Sequence, residues 1–392
     1  MMRRFSWSIL ALLVVACSGR AVPDTDAGRG TDAGPSGPMD AGLDAGPTPV
    51  DAGPPDAGPD AGPPDAGPPP CACPPYPTSC AAPAAASPTF SPDAEAMGGQ
   101  LFDVIACADS TLQIAIYEFE WDCLRDAIQT ALDEDEDLEV EIVVDDDMCP
   151  PSSCPADTLT PGDRVTVVRD GRSGLMHHKW VIADASRVWI SSANFTYFSF
   201  CVDHNNAIVV DQPEIVAAYG EVFTRMFTEG IFGPIDASEG GPRSGGEYTV
   251  YYSPESPATT PAEWQDEMVA AIGDAATGIE LFISAWTRTE VSDALVAAHE
   301  RGVPVRALVS HRYADDAPAQ ALLAAGVDIR RGNIHDKTIV IDDTVVTGSA
   351  NWSMNAWSNN ENSLWIADAD VAAAYRAEFD AVYADAEAVE AP

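Results

Sequence analysis

The chain has 392 residues, a formal charge of −42 and 46% hydrophobic residues, enough for two ordinary domains or one large bilobed one. That acidity largely excludes a polyanion partner such as nucleic acid gripped through a basic face. It also isolates the cations, because 18 arginines are accompanied by only two lysines, Lys179 and Lys337.

The opening "MMRRFSWSILALLVVAC" has two arginines, about a dozen mostly apolar residues and small residues before Cys17. The apolar run is too short to span a bilayer, so residues 1–16 are assigned to a cleavable signal peptide. "VVAC" resembles the lipobox of bacterial lipoproteins, which makes Cys17 the expected lipid anchor and the cell envelope the expected location. Residues 17–87 then read as a disordered Asp/Ala/Gly/Pro-rich tether. "DAG" occurs eight times within 18–70, too irregularly for a collagen helix and without the apolar side chains of a core. Eight further cysteines lie between Cys71 and Cys201, an even number that implies disulfides in an exported chain and lacks zinc-site spacing. Cys149 and Cys154 are spaced for a small local loop, and "CACPPYPTSC" at 71–80 is placed to staple the tether to the first domain.

From residue 88 the chain reads twice. The strand-like "LQIAIYEFEW" at 112–121 leads to the helical "CLRDAIQTAL", then to strands "LEVEIVVD" and "RVTVVRD". The second pass has "IELFISAWTR" at 279–288, helical "VSDALVAAHERG", and strands "VPVRALVS" and "VDIRRG". Each pass closes on an amphipathic helix, "PEIVAAYGEVFTRMF" or "ADVAAAYRAEFDAVYA". Alternating strand and helix predicts an α/β fold of two similar halves, each a mostly parallel or mixed sheet flanked by helices. The halves are set at 88–236 and 248–390, joined by a glycine-rich linker at 237–247. "DDDMCPPSSCPADTLTPGD" reads as an insertion that lengthens the first half.

Between the last strands of each half lies the same segment: "MHHKWVIAD" at 176–184 and "IHDKTIVID" at 334–342. Strand alternation puts His177 with Lys179 and His335 with Lys337 on one face, and turns His178 and Asp336 to the other. Each segment precedes a turn of small residues and an asparagine. The first is Ser191, Ser192 and Asn194, and the second Gly348, Ser349 and Asn351. Small side chains there let backbone N–H groups approach an anion, and the asparagine adds a donor. Two histidines, two lysines and two asparagines make a site for one phosphodiester. Lysine neutralises non-bridging oxygens as a compact point charge. A neutral imidazole can attack phosphorus while a protonated one serves the leaving alkoxide, and both forms are accessible near neutrality. This chemistry calls for no cofactor and no metal.

Two copies of H-x-K-x4-D, each followed by G/S-S-x-N, resemble the phospholipase D superfamily over roughly residues 88–388. The resemblance implies an active site between the halves, a phosphohistidine on His177, and His335 as general acid and then base. It further implies that Lys179, Lys337, Asn194 and Asn351 hold the phosphate, and that Glu361 in "NNENSLWI" orients a catalytic histidine. In the first half Asn205 stands at that acidic position, with Asp203 as the available substitute for orienting the first histidine. The closing aspartates, Asp184 and Asp342, complete the motif and are expected to support the strand turns. Two departures are Ser191 in place of glycine and a spacing one residue shorter between Asp342 and Gly348, which predicts a tighter turn. His299 reads as surface helix, His311 as a strand-end residue near the mouth, and "NFTYFSF" as helix packing.

The implied reaction is hydrolysis of a glycerophospholipid, phosphatidylcholine or phosphatidylethanolamine, to phosphatidate and head group. An acidic surface favours a zwitterionic bilayer over an anionic one. The alternatives are a non-specific nuclease, a phosphatidyltransferase of cardiolipin synthase type, and an inert surface binding protein.

Overall fold

The computed structural model describes residues 71–151, 153–236, 241–256 and 262–390. The signal peptide, Cys17 and most of the tether fall outside them, as does part of the linker.

The first half runs through β1 (Thr89–Phe90), α1 (Ala94–Ala106), β2 (Thr111–Ile116), α2 (Asp122–Glu134), β3 (Glu139–Val144), β4 (Val165–Arg169), β5 (Lys179–Ala183), β6 (Arg187–Ser191), α3 (Tyr197–Cys201), β7 (Asn206–Val210) and α4 (Pro213–Phe227). Short strands β8 (Ile235–Asp236), β9 (Arg243–Gly245) and β11 (Glu255–Ser256) flank β10 (Tyr248–Ser253). The second half continues with α5 (Glu263–Asp274), β12 (Ile279–Ile283), α6 (Thr289–Glu300), β13 (Val305–Ser310), α7 (Ala317–Ala324) and β14 (Asp328–Gly332). It closes with β15 (Lys337–Ile341), β16 (Thr344–Gly348), β17 (Glu361–Ile366), α8 (Ala369–Asp385) and β18 (Glu387–Ala388). Capping follows the sequence: Asp93 accepts from Ala96 N–H ahead of α1, and Asp368 from Asp370 and Val371 N–H ahead of α8.

Two large sheets result, with strand orders β1-β7-β6-β5-β2-β3-β4 and β18-β14-β13-β12-β15-β16-β17-β10-β9, and β8 pairs with β11 in a separate two-stranded parallel sheet. Six consecutive strands of each correspond one to one. Within these two large sheets the parallel order expected from strand–helix alternation holds only for β2-β3-β4 and β12-β13-β14. The rest is antiparallel because β5–β6 and β15–β16 are hairpins with no helix to carry the chain back. The two sheets are therefore mixed, and the α/β class with two similar halves stands.

Each sheet has helices on its outer face, α1 and α2 against the first and α5 and α6 against the second. The inner faces share one apolar cluster, which takes in Trp180, Ile190 and Val210 from the first sheet, Val340, Leu364 and Ile366 from the second, and residues of α4 and α8. At roughly 25 cal/mol per Å² of apolar surface, this shared layer holds the halves as one body.

Three further differences correct the sequence reading. Residues 71–87 are no tether: disulfides Cys71–Cys201, Cys73–Cys123 and Cys80–Cys107 bind them to the first half, and Tyr76 packs on its core. The stretch after β3 is a replacement more than an insertion, since a loop closed by Cys149–Cys154 stands where the second half has α7. The rest of the extra length is the 170–176 loop, which crosses to the second half: Arg172 donates to Asn360 Oδ1 and Ser358 O at 3.1 Å.

Beneath the shared layer lies a polar tier built twice. Asn206 donates to Asp336 (2.7 Å) and accepts from Tyr375 Oη (2.7 Å) and Thr347 (3.0 Å). Its counterpart Asn362 donates to Tyr219 Oη at 3.0 Å and faces His178 Nδ1 at 3.4 Å. Each asparagine thus bonds groups of the opposite half. Burial lowers His178 to about 3, and the neighbouring Lys179 and His177 add to the effect against the bond with Asn362. Burial also lifts Asp336 to about 6 against hydrogen bonds from Thr338 and Lys337.

The two groups have opposite pH consequences. Below about pH 6.5 the unfolded chain protonates His178 and the folded chain does not, so its contribution is lost as pH falls. Asp336 holds its proton in the folded state, so its contribution is lost as pH rises from about 4 to about 6. Comparing wild type with His178→Asn by urea unfolding isolates the first effect. From pH 7 to 5 the difference should move against wild type by about 2 kcal/mol. A difference flat with pH would show that His178 is not held neutral.

Candidate active site

Both motif histidines lie on the seam between the halves, and backbone bridges set their partners. His177 N–H donates to Asn360 O, and His335 N–H to His204 O, each at 3.0 Å. The parallel bridges Met176↔Asn360 and His204↔Ile334 place the residue after each acceptor beside the opposite ring. Glu361 Oε2 therefore sits 2.8 Å from His177 Nδ1, and Asn205 Oδ1 sits 2.9 Å from His335 Nδ1. Both arrangements leave Nε2 as the reactive nitrogen. His177, Glu361 and Asn205 are buried to 1% exposure or less.

This answers how the histidines are oriented, in a way the linear sequence does not reveal. Neither Asp203 nor Asn205 holds the first histidine. Glu361, from the second half, holds it, and Asn205 holds the second.

The two ammonium groups are buried beside these rings. Lys179 Nζ donates to His177 O (2.9 Å) and lies 5.1 Å above the Tyr117 ring. Lys337 Nζ donates to His335 O and approaches both ring nitrogens at 3.4 Å. Asn194 is buried, and its amide donates to Glu118 Oε2 at 3.0 Å while its Oδ1 has no hydrogen-bond partner. Glu118 was not singled out by the sequence. Its counterpart in the second half is Ala285, as the bridges of the following residues, Phe119↔Phe195 and Trp286↔Trp352, indicate. Asn351 is likewise buried.

The motif aspartates face away from the rings. Asp184 accepts from the N–H groups of Asp109, Ser110 and Thr111 at 2.8–2.9 Å. Asp342 accepts from Ala276, Thr277 and Gly278 N–H. Burial pushes both carboxyls up, but these hydrogen bonds outweigh it and hold them below the usual carboxylate range. They brace the loops entering β2 and β12, and neither belongs among the groups that face a substrate. Three residues separate paired positions Ala183 and Arg187, and two separate Ile341 and Thr344, so the second turn is the tighter.

The Ser191/Gly348 departure has a local cause. Gly348 has φ +135°, and a Cβ there would fall 2.4 Å from Asn362 O. Ser191 lacks that backbone conformation, and its Oγ donates to Asn206 O at 2.7 Å and accepts from Ala193 N–H at 2.9 Å. Ser192 and Ser349 are buried, and their hydroxyls accept from Asn206 and Asn362 N–H. His311 lines a cleft of about 540 Å³ with His204, Arg331 and Glu378, which no motif residue lines. Among the aromatics after Asn194, Phe195 and Phe200 are core, whereas Phe198 is exposed.

A family described as "Cardiolipin synthase, PLD-like domain" matches residues 101–227 and 268–383, together more than half of the chain. The mitochondrial cardiolipin hydrolase of Xenopus laevis is 35% identical over 113 residues, 27% of this chain and 54% of that protein. The mouse enzyme of that name is 29% identical over 124 residues, 30% of this chain and 56% of that protein. The chain thus spans about half the length of these relatives. In fold it is similar to phosphatidylserine synthase of Haemophilus influenzae, with TM-score 0.59 and 14% identity over 77% of this chain and 87% of that one.

Gly348→Ala and Ser191→Gly should behave differently. The first forces a Cβ into a backbone carbonyl and should cost on the order of 3 kcal/mol. The second removes two hydrogen bonds at about 1 kcal/mol each. Urea midpoints would rank them, and a Gly348→Ala protein as stable as wild type would contradict the packing of this turn.

Proposed function

Because the chain belongs to the family described as "Cardiolipin synthase, PLD-like domain", we propose that it is a phosphodiesterase that hydrolyses glycerophospholipids through a phosphohistidine intermediate. The crossed pairing carries this reading: each half's histidine has its Nδ1 held by a side chain of the other half. That leaves two Nε2 atoms, one to attack and one to donate.

In the first step, His177 Nε2 forms a bond to phosphorus as the bond to the leaving alkoxide breaks, and His335 Nε2 gives its proton to that oxygen. In the second, His335 takes a proton from water as the water oxygen attacks phosphorus, and the phosphorus–nitrogen bond breaks. Lys179 and Lys337, buried beside the rings, offset the charge of the non-bridging oxygens. Asn194, Asn351 and the backbone around Ser191, Ser192, Gly348 and Ser349 complete the cradle.

The substrate class is a phospholipid with a zwitterionic head group, phosphatidylcholine or phosphatidylethanolamine. The charge of −42 opposes an anionic surface, and Glu118 beside Asn194 supplies a carboxylate for a head-group ammonium. An export signal and acylated Cys17 would hold the enzyme at the cell envelope near its substrate. The names of its relatives favour a second reading, in which the diester is cardiolipin. Transfer of the phosphatidyl group to an alcohol differs only in what resolves the intermediate.

The intact chain, assayed in mixed micelles with phosphatidylcholine, phosphatidylethanolamine, cardiolipin and, separately, DNA, tests this. Choline or ethanolamine release should exceed cardiolipin turnover and fall about 10³-fold in His177→Ala. Faster cardiolipin turnover would select the second reading. DNA cleavage without lipid hydrolysis would falsify both, and inertness toward every diester would leave a binding protein.

A further inference from the structure

The two histidine partners occupy equivalent positions but differ in charge. The equivalence is structural: the next residue in each half, Asn206 or Asn362, donates its N–H to a serine hydroxyl, Ser192 at 3.1 Å or Ser349 at 3.0 Å. Glu361 offers His177 a carboxylate, while Asn205 offers His335 an amide. The orientation of that amide is determined. Asn205 Nδ2 donates to Ser199 O at 3.1 Å, and Ser192 Oγ donates to Oδ1 at 2.9 Å. Turning the amide over would set its oxygen against a carbonyl and lose the serine bond. Oδ1 therefore faces His335 Nδ1, which must carry hydrogen.

We propose that Asn205 is the positioning residue of His335, fixing its tautomer while its neutrality leaves His335 the weaker base of the pair and Glu361 makes His177 the stronger. The consequences for catalysis rest on the phosphodiesterase reading, but the geometry does not. Other charged groups also lie near the two rings. Lys337 approaches His335 at 3.4 Å and opposes a second positive charge there. At His177, Lys179 lies over Tyr117, whose ring is 4.8 Å from the imidazole. Glu118 reaches the site through Asn194, and Asp203 lies two residues before Asn205.

Two effects follow. A phosphorylated imidazole that keeps its Nδ1 hydrogen is cationic, and Glu361 offsets that charge where an amide would not. His177 is thereby the better seat for the covalent intermediate, and His335, once protonated, the stronger acid toward the alkoxide. In the singly protonated pair, however, the proton favours His177, so the productive arrangement is the minor one. The pH profile then has an unexpected assignment: its acidic limb reports mainly proton uptake by His335, and its basic limb mainly proton loss from His177.

The test is kcat/KM against pH for the intact chain on soluble short-chain phosphatidylcholine. Asn205→Asp should raise the acidic limb by about one pH unit or more, because an adjacent carboxylate stabilises the imidazolium. Glu361→Gln should lower the basic limb by a similar amount. An acidic limb that stays in place in Asn205→Asp, or a basic limb that moves instead, overturns the proposal. The new carboxylate would face Ser199 O and could weaken the fold, so a second measurement uses the unaltered chain. Long-range ¹⁵N NMR of the imidazoles should show His335 titrating below His177, and the reverse order overturns the proposal whether or not any diester is cleaved. If that order holds and no diester is cleaved, the charge asymmetry stands and the substrate reading falls.

Discussion

Two short parallel bridges, Met176↔Asn360 and His204↔Ile334, determine the rest of this site. A bridge fixes register to one residue, and register decides which side chains meet. Because each bridge runs between halves, each ring is oriented by a residue about 130 or more positions away, Glu361 for His177 and Asn205 for His335. Neither half alone contains an oriented imidazole, so docking of the halves and assembly of the site are one event.

The polar tier beneath makes that docking specific. Asn206 and Asn362 are buried and satisfied by groups of the opposite half, while Gly348 leaves room for the Asn362 carbonyl. An apolar seam of equal area would give comparable adhesion with less selectivity, since hydrophobic contact is non-directional. A one-residue slip here would strand several buried donors and acceptors, each at a cost of about 1–3 kcal/mol. The opposed titrations of His178 and Asp336 belong to the same tier, so docking itself responds to pH.

The repeat, the motif residues and the α/β class were legible because they depend on spacing along the chain, which strand alternation and helix periodicity translate directly. Partner identity was not legible, because it depends on which half supplies the neighbour. Asn205 therefore looked like a weakened support for His177, when its actual neighbour is His335. The 170–176 loop carried no signal in the sequence, although the bonds of Arg172 to Ser358 and Asn360 help seat the residues ahead of Glu361. The polar tier did leave a trace, since an asparagine follows the orienting position in both halves, Asn206 in "NNAIVV" and Asn362 in "ENSLWI". Among the disulfides only the local Cys149–Cys154 loop was spaced to be read; the partners of Cys71, Cys73 and Cys80, which together with the packing of Tyr76 bring residues 71–87 into the folded body, left no such trace.

The restriction to two lysines now has a physical explanation. Lys179 and Lys337 are 0% and 3% exposed, and each ammonium turns back to the carbonyl of the histidine two residues before it. A guanidinium is planar and wider, and needs a fork of acceptors that a single carbonyl does not provide. Elsewhere, arginine does what that fork suits: Arg306 spans Glu280 and Asp380, and Arg164 collects three carbonyls. Burying two cations costs several kcal/mol each unless they are compensated, and a phosphodiester oxygen pair would supply that compensation. The interior also holds buried carboxylates, Glu361 against His177 and Asp336 within the field of Lys337, so these two ammonium groups are part of a mixed polar interior and not an isolated positive charge.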